Sequence, residues 1–369
     1  MDKLRKHLNE NPDSTLWEYL QKTTKPIMIY GMGDGAEKII TVLEKKGIEY
    51  REIFASDGFV RGHSFRGKLV KSFSQIKEEY SDFIILTAFA SKNPETVEML
   101  YSISDEYELY SPDVNVSGDY TEVFDADYYR THAEQLYNVY EMLEESARQI
   151  FCTILDFKVS GKLEYLKKTD NIISDLGVPY KTDGIKTYID LGAYNGDTLK
   201  AAVDNYPNLQ KAVAVEPDQK NYRKLCLYAD TVKNTEICTY NAAAWNSQCE
   251  LTLHMGYGKN TTVGNIGQGM QKKKDIIINT VTVDKLTETA DLIKYDVEGS
   301  EFEAIQGSKN VILNSQPVLI VSVYHNNNDL YRLPELIKSY GEYKLFLNRK
   351  PCIPAWELEI VAVSQKHSQ

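Results

Sequence analysis

Two stretches of this chain repeat one alternation: a short apolar run, a glycine-bearing turn, then an amphipathic helix. The first opens with PIMIYGMGDG at 26–35, continues through a helical AEKIITVLEKKG, and reaches a second apolar run, YREIFASDG, at 50–58. A helical SFSQIKEEY, the run DFIILTAFA at 82–90 and a helical NPETVEMLYSIS complete it. Strands separated by helices pair in parallel, so this pattern predicts a parallel sheet covered by helices over about residues 1–112.

No strand-like run interrupts 113–181. DADYYRTHAEQLYNVYEMLEESARQIFCTILDFKVSG carries apolar residues at spacings of three and four, which predicts one or two long helices. Tyrosines at 120, 128, 129, 137 and 140 mark this segment. An aromatic helix face serves a core more often than a ligand, so the segment reads as a helical connector packed on the domain that follows. From Lys186 the alternation resumes, with strands expected in KTYIDLG, KAVAVEP, EICTYNAAA, DLIKYDVEG, PVLIVSVYH, YKLFLNRK and ELEIVAVS. CELTLHMG and IIINTVTV read as an added edge or a β-excursion. Only PCIPAW separates the last two main runs, too little for a parallel crossover, so these must form an antiparallel hairpin. The expected fold class is α/β: two open, mostly parallel sheets, a Rossmann-like one over 1–112 and a hairpin-closed one over 182–369, joined by a helical connector at 113–181.

Composition narrows the function. A net charge of −11 supplies no concentrated basic face for a phosphate backbone, so no nucleic-acid partner is expected, and the KKK at 272–274 is a short solvated run. The same charge disfavours an anionic membrane surface. The hydrophilic MDKLRKHLNENPD shows no signal peptide, and PVLIVSVY is far too short to span a bilayer. Cysteines 152, 226, 238, 249 and 352 are scattered without a CxxC pattern, which points to reduced thiols in a cytoplasmic protein. The oligomeric state stays open, a homo-oligomer included.

The stretch TYIDLGAYNGDTL, at 187–199, breaks from a strand into a turn and then a helix. Ligands of open α/β sheets bind at such carboxyl ends. Gly192 and Gly196 free the backbone to turn and approach a ligand, and Asp197-Thr198 begin a helix whose free N–H groups receive a polar end. The turn residues Ala193, Tyr194 and Asn195 complete that cradle, and Asp190 at the strand end accepts hydrogen bonds. Glu216 ends the next strand, followed by Pro217, where a carboxylate takes both hydroxyls of a ribose. Asn241, Ala242, Ala243 and Ala244 end the third strand, their small side chains leaving room for a flat adenine whose edge Asn241 reads. No phosphate-binding lysine or GxGxxG accompanies this second sheet. A nucleoside without a pyrophosphate suggests S-adenosylmethionine as cofactor.

The pieces YIDLGAYNGDT, VEPD, KYDVEGSEFEAIQG, SVYH and ELEIVAV resemble the FkbM family of S-adenosylmethionine-dependent methyltransferases over residues 186–364. The resemblance implies the class I methyltransferase fold, with the hairpin inferred above, and O-methylation of a hydroxyl on a sugar, glycan precursor or other small molecule. An alcohol acceptor needs a base, and candidates end the two neighbouring strands. His325 is the preferred base, with Asp296 and Glu298 beside it. Asp296 is placed to contact the methionine end, orient the acceptor or hold a metal. Two carboxylates do not define a metal site, so none is assigned. Glu301, in the first turn of a helix, reads as a capping charge. Asn326, Asn327 and Asn328 suit sugar hydroxyls or a plain turn.

A rival reading rests on the N-terminal sheet. GMGDGA at 31–36 fits G-x-G-x-x-G/A between a strand and a helix, and Asp57 follows the next strand. That combination points to a binding protein or oxidoreductase for NAD(P) or a sugar nucleotide, although no hydride-transfer partner accompanies it.

Overall fold

The computed structural model describes residues 15–255, 261–263 and 274–368. The hydrophilic N-terminus through residue 14, together with Lys272 and Lys273, lies outside them. Helix α1 (Leu16–Lys22) leads into β1 (Ile27–Tyr30), α2 (Asp34–Lys45) and β2 (Glu52–Ala55). A small hairpin, β3 (Ser64–Phe65) with β4 (Lys68–Leu69), precedes β5 (Lys71–Ser72) and α3 (Phe73–Glu79). Strand β6 (Ile84–Thr87), α4 (Pro94–Glu106) and β7 (Glu108–Tyr110) follow. The sheet order is β5-β2-β1-β6-β7, with all pairs parallel. Every residue of β1 and β6 is buried, as helices on both faces require. The apolar runs predict the three inner strands. At two and three residues, β5 and β7 are too short to display a period.

After an extended stretch come α5 (Ala126–Met142), α6 (Glu145–Ser160) and α7 (Leu163–Ser174). The DADYYR segment thus forms two helices, and a third continues it. Asp125 starts α5 by accepting the Tyr128 N–H at 2.9 Å, and Gly161 ends α6 at φ 67°, where a side chain would be strained. The connector does more than pack on the following domain. Its Phe124, Ile150, Phe151 and Phe157 share one buried core with Met28 and Phe54 of the first sheet and Ile189 and Ile293 of the second.

The second sheet contains β8 (Thr187–Leu191), β9 (Lys211–Val215) and β10 (Glu236–Tyr240), with α8 (Asp197–Asn205) and α9 (Gln219–Ala229) between them. An excursion follows: β11 (Ala243–Ala244), β12 (Glu250–Met255), β13 (Thr261–Val263) and β14 (Lys274–Val281) form their own four-stranded sheet. Helix α10 (Val283–Leu286) leads to β15 (Leu292–Tyr295), α11 (Glu301–Gln306), α12 (Lys309–Ser315) and β16 (Val318–Ser322). Helix α13 (Asp329–Ser339), β17 (Tyr343–Arg349) and β18 (Leu358–Ser364) complete the sheet. Its order is β10-β9-β8-β15-β16-β18-β17, and β18 runs antiparallel to both neighbours. All of β18 is buried while the edge strand β17 alternates, as a hairpin tucked into a sheet demands. The strand order reverses between β8 and β15, which opens a crevice at their carboxyl ends.

Candidate active site

A cavity of about 640 Å³ occupies that crevice, a volume suited to a small ligand. On one side it is lined by Tyr194, Asn195, Asp197 and Thr198 after β8, by Glu216 and Pro217 after β9, and by Ala243 and Ala244. Asp296 and Glu298 after β15 and Tyr324 after β16 form its floor.

Glu216 is almost fully buried. Its two carboxylate oxygens each accept a backbone N–H, from Tyr194 and Asp218, both at 2.8 Å. Each oxygen keeps a lone pair for a further donor. Burial pushes its pKa up to about 7, against the pull of those two N–H groups. A carboxylate with two acceptor positions, alongside a slot walled by two alanines and the N-terminus of α8, is the arrangement an adenosine needs. The residues present therefore fit S-adenosylmethionine.

Several residues assigned from sequence do not reach the cavity. Asp190 is fully buried and accepts the Thr198 hydroxyl at 2.6 Å, and burial raises its pKa despite Lys294. It positions the start of α8 rather than touching a ligand. Gly192 lines the wall, yet its missing side chain makes room for the protein itself: a Cβ there would lie 1.9 Å from the Asp296 carbonyl oxygen. Gly196, at φ 91°, packs against Tyr228 and Leu225, and Ala193 is turned into the core. Asn241 spends its side-chain N–H groups on the carbonyls of Glu216 and Pro217, at 2.9 and 3.0 Å, so it braces the strand end instead of reading a base edge. Ala242 belongs to the core, and the next two alanines line the slot.

The largest correction concerns His325. Its ring is fully buried, with Nδ1 2.9 Å from Glu301 Oε1 and Nε2 3.6 Å from Glu298 Oε2 and 3.8 Å from Asp296 Oδ1. Burial opposes its charge, but Glu301, Glu298 and Asp296 together raise its pKa to about 10. Fully buried, lining no part of the cavity and held toward its protonated form by these carboxylates, the ring is not placed to act as a general base. Asp296 is a poor base as well. Burial would raise its pKa, but Lys294 at 3.1 Å, His325 and the Ser322 hydroxyl at 2.9 Å hold it below the ordinary carboxylate range. Glu298 differs. It faces the cavity at φ 54°, a strained conformation for a side-chain-bearing residue, and burial lifts its pKa to about 7 against the pull of His325.

The asparagines after β16 knit the turn to the connector. The Asn327 side chain donates to Glu122 O at 3.0 Å and its backbone N–H donates to Asn115 Oδ1, while Asn328 Oδ1 accepts the Tyr128 and Tyr331 hydroxyls. The opposite wall has no local signature in the sequence. It comes from Ser91 and Lys92 after β6 and from Lys350, Trp356 and Glu357 in the β17–β18 loop. Ser91 and Ile353 exchange backbone hydrogen bonds of 2.9 and 3.1 Å across this seam. Both sheets therefore build the cavity, a consequence of their packing that no local pattern announces.

On the first sheet, the acidic residue of the rival nucleotide site is engaged with the following helix. Asp57 accepts the Ser74 N–H at 3.1 Å and the Ser74 hydroxyl at 2.5 Å, so it ties down the start of α3. Gly31 lies beneath Phe89 and Ala88, while Gly33 faces open space.

The strand order, the hairpin and the acidic residue after β9 define the α/β fold of class I methyltransferases. Residues 190–344 match the methyltransferase FkbM domain, the family that the sequence resembles. A solved structure described as methyltransferase FkbM from Methylobacillus flagellatus shares the fold, with a TM-score of 0.69 and 17% identity over 98% of both chains. A fibrillarin from Aeropyrum pernix with natively bound S-adenosyl-L-methionine is similar over 52% of this chain and 72% of its own. At 13% identity and a TM-score of 0.32 that likeness carries no argument. No curated protein sequence matches the chain. The match of residues 190–344 to that domain supports a methyltransferase that uses S-adenosylmethionine. Among the described residues, no helix is long and apolar enough to cross a membrane.

Proposed function

We propose that the protein transfers a methyl group to a hydroxyl of a sugar, glycan precursor or other small molecule. The observation that carries this reading is Glu298, a cavity-facing carboxylate poised near neutrality on the floor between the two walls. When bound, S-adenosylmethionine supplies an activated methyl group. The chain's own task is to orient an acceptor and receive its proton. Glu216 holds the ribose end, which places the remaining cavity toward Tyr324, Trp356, Lys92 and Lys350. Tyr324 and Trp356 lie 6.4 Å apart and nearly parallel, an aromatic face on which the C–H face of a sugar ring can rest. The acceptor O–H bond breaks as its oxygen takes the methyl group, and Glu298 receives the proton. A positioned base contributes about 10²–10⁴-fold, and holding the reacting atoms about 3–3.5 Å apart supplies much of the rest.

The proposed setting is cytoplasmic, with a small-molecule or glycan acceptor and no nucleic acid or membrane partner. The test is methyl transfer from labelled S-adenosylmethionine to a panel of hydroxylated sugars and small molecules, in parallel with amine and thiol acceptors. Product on amines or thiols but on no hydroxyl would overturn the O-methyl assignment while leaving methyl transfer in place.

A further inference from the structure

His325 and Glu301 raise a question that methyl transfer does not answer. Both side chains are completely buried. Nε2 of His325 has no hydrogen-bond partner, because its nearest polar neighbours are the carboxylate oxygens of Glu298 and Asp296 at 3.6 and 3.8 Å. Nδ1 faces Glu301 Oε1 at 2.9 Å, out of line for a hydrogen bond. Glu301 Oε1 also accepts the Val297 N–H at 2.9 Å, while its Oε2 is buried with no partner. Leaving such atoms unpaired is costly, so a chain retains them where something else satisfies them.

The geometry suits a cation. One donor atom each from Asp296, Glu301 and His325 lie within 4.8 Å of one another. Around an ion with bonds of about 2.1 Å, adjacent donors stand about 3.0 Å apart and opposite ones about 4.2 Å. The Asp296 and His325 donors, 3.8 Å apart, must approach by up to about 0.8 Å to reach the adjacent spacing. The donors are also held in place. Asp296 is braced by Lys294 and Ser322, Glu301 by the Val297 N–H, and the carbonyl of His325 accepts the N–H groups of Val116 and Ser117 at 2.8 and 3.2 Å. Supporting hydrogen bonds of this kind orient the ligands of metal sites.

We propose that Asp296, Glu301 and His325, whose ring gives up a proton to solvent as the ion binds, hold a divalent first-row cation of the Mn²⁺ type behind Asp296 at the floor of the cavity. One imidazole with two carboxylates matches Mn²⁺, Fe²⁺ or Zn²⁺ better than Ca²⁺, which takes six to eight oxygens. The site stands on its own geometry, and only its role rests on the proposed methyl transfer. On that reading, a cation on Asp296, the one of the three residues that lines the cavity, favours the ionised form of the acceptor hydroxyl.

The test uses the full chain, stripped with a chelator and titrated with Mn²⁺ while electron paramagnetic resonance follows the free ion. Mn²⁺ avoids the thiol binding that would complicate Zn²⁺. Saturable binding at a single site is expected, weakened about tenfold or more in Glu301→Gln and in Asp296→Asn. Circular dichroism and melting verify that each variant is folded, and Glu301→Gln keeps the shape of the side chain. Absence of saturable binding, or equal binding by wild type and both folded variants, overturns the site and leaves His325 and Glu301 as an ion pair only. S-Adenosylmethionine binding is measured on the same samples. Loss of Mn²⁺ binding with the cofactor still bound removes the cation site alone. Specific Mn²⁺ binding without cofactor binding supports the site and removes the methyl-transfer reading.

Discussion

Gly192 sits so close beneath Asp296 that a Cβ on it would come within 1.9 Å of the Asp296 carbonyl oxygen. The contact joins the two strands at which the sheet order reverses, and it fixes the turn after β8 relative to the cavity floor. Gly192→Ala, at φ 85°, must push the end of β15 aside. Overpacking of this kind typically costs about 1–3 kcal/mol. A lowered melting temperature is expected together with weaker cofactor binding. A variant unchanged in both would show that the turn and floor are not coupled through this contact.

Glu216 sets the second expectation. Glu216→Gln should weaken cofactor binding by about 1.5–3 kcal/mol, the scale of hydrogen bonds to a charged group. The ionised carboxylate is the acceptor, and burial raises its pKa to about 7, so affinity should rise as pH increases through 7. Stability of the ligand-free chain should move the other way. The folded state holds this proton above the ordinary pKa of 4.5, so between 4.5 and 7 it binds more protons than the unfolded state. That contribution therefore falls as pH rises across the window. Calorimetry at several pH values checks the first trend, and melts of wild type against Glu216→Gln check the second.

Glu298 separates binding from chemistry. Glu298→Gln should lower kcat by about 10²–10⁴ while cofactor affinity changes little. Retention of near wild-type turnover would remove Glu298 as the base.

The connector leads to a different test. Because Phe151 and Phe157 share a core with Ile189 and Ile293, residues 182–369 expressed alone would expose one face of their sheet. That fragment is expected to lack near-ultraviolet circular dichroism and a cooperative melt. A folded, cofactor-binding fragment would show that the connector is dispensable.

Much of this was legible in the sequence for one reason: β1 and β15 are fully buried strands and β8 nearly so, each followed by a turn with glycine, a local signal. The gap between β17 and β18 forced the hairpin by length alone. Glu216 was readable because it directly follows an apolar run. What stayed hidden depends on distant contacts. Nothing near His325 in the sequence reveals that Glu298 and Glu301 enclose its ring and hold its proton. Asn241 looked free to read a base because its two carbonyl partners follow a different strand. The wall made by Lys92 and Trp356 exists only because one sheet docks against the other through Ser91 and Ile353.

The most direct measurement is calorimetric titration of the full chain with S-adenosylmethionine, its demethylated product and NAD⁺. The account predicts saturable binding of the first two, weakened in Glu216→Gln, and none of NAD⁺. Binding of NAD⁺ without S-adenosylmethionine, or cofactor binding indifferent to Glu216→Gln, would contradict it.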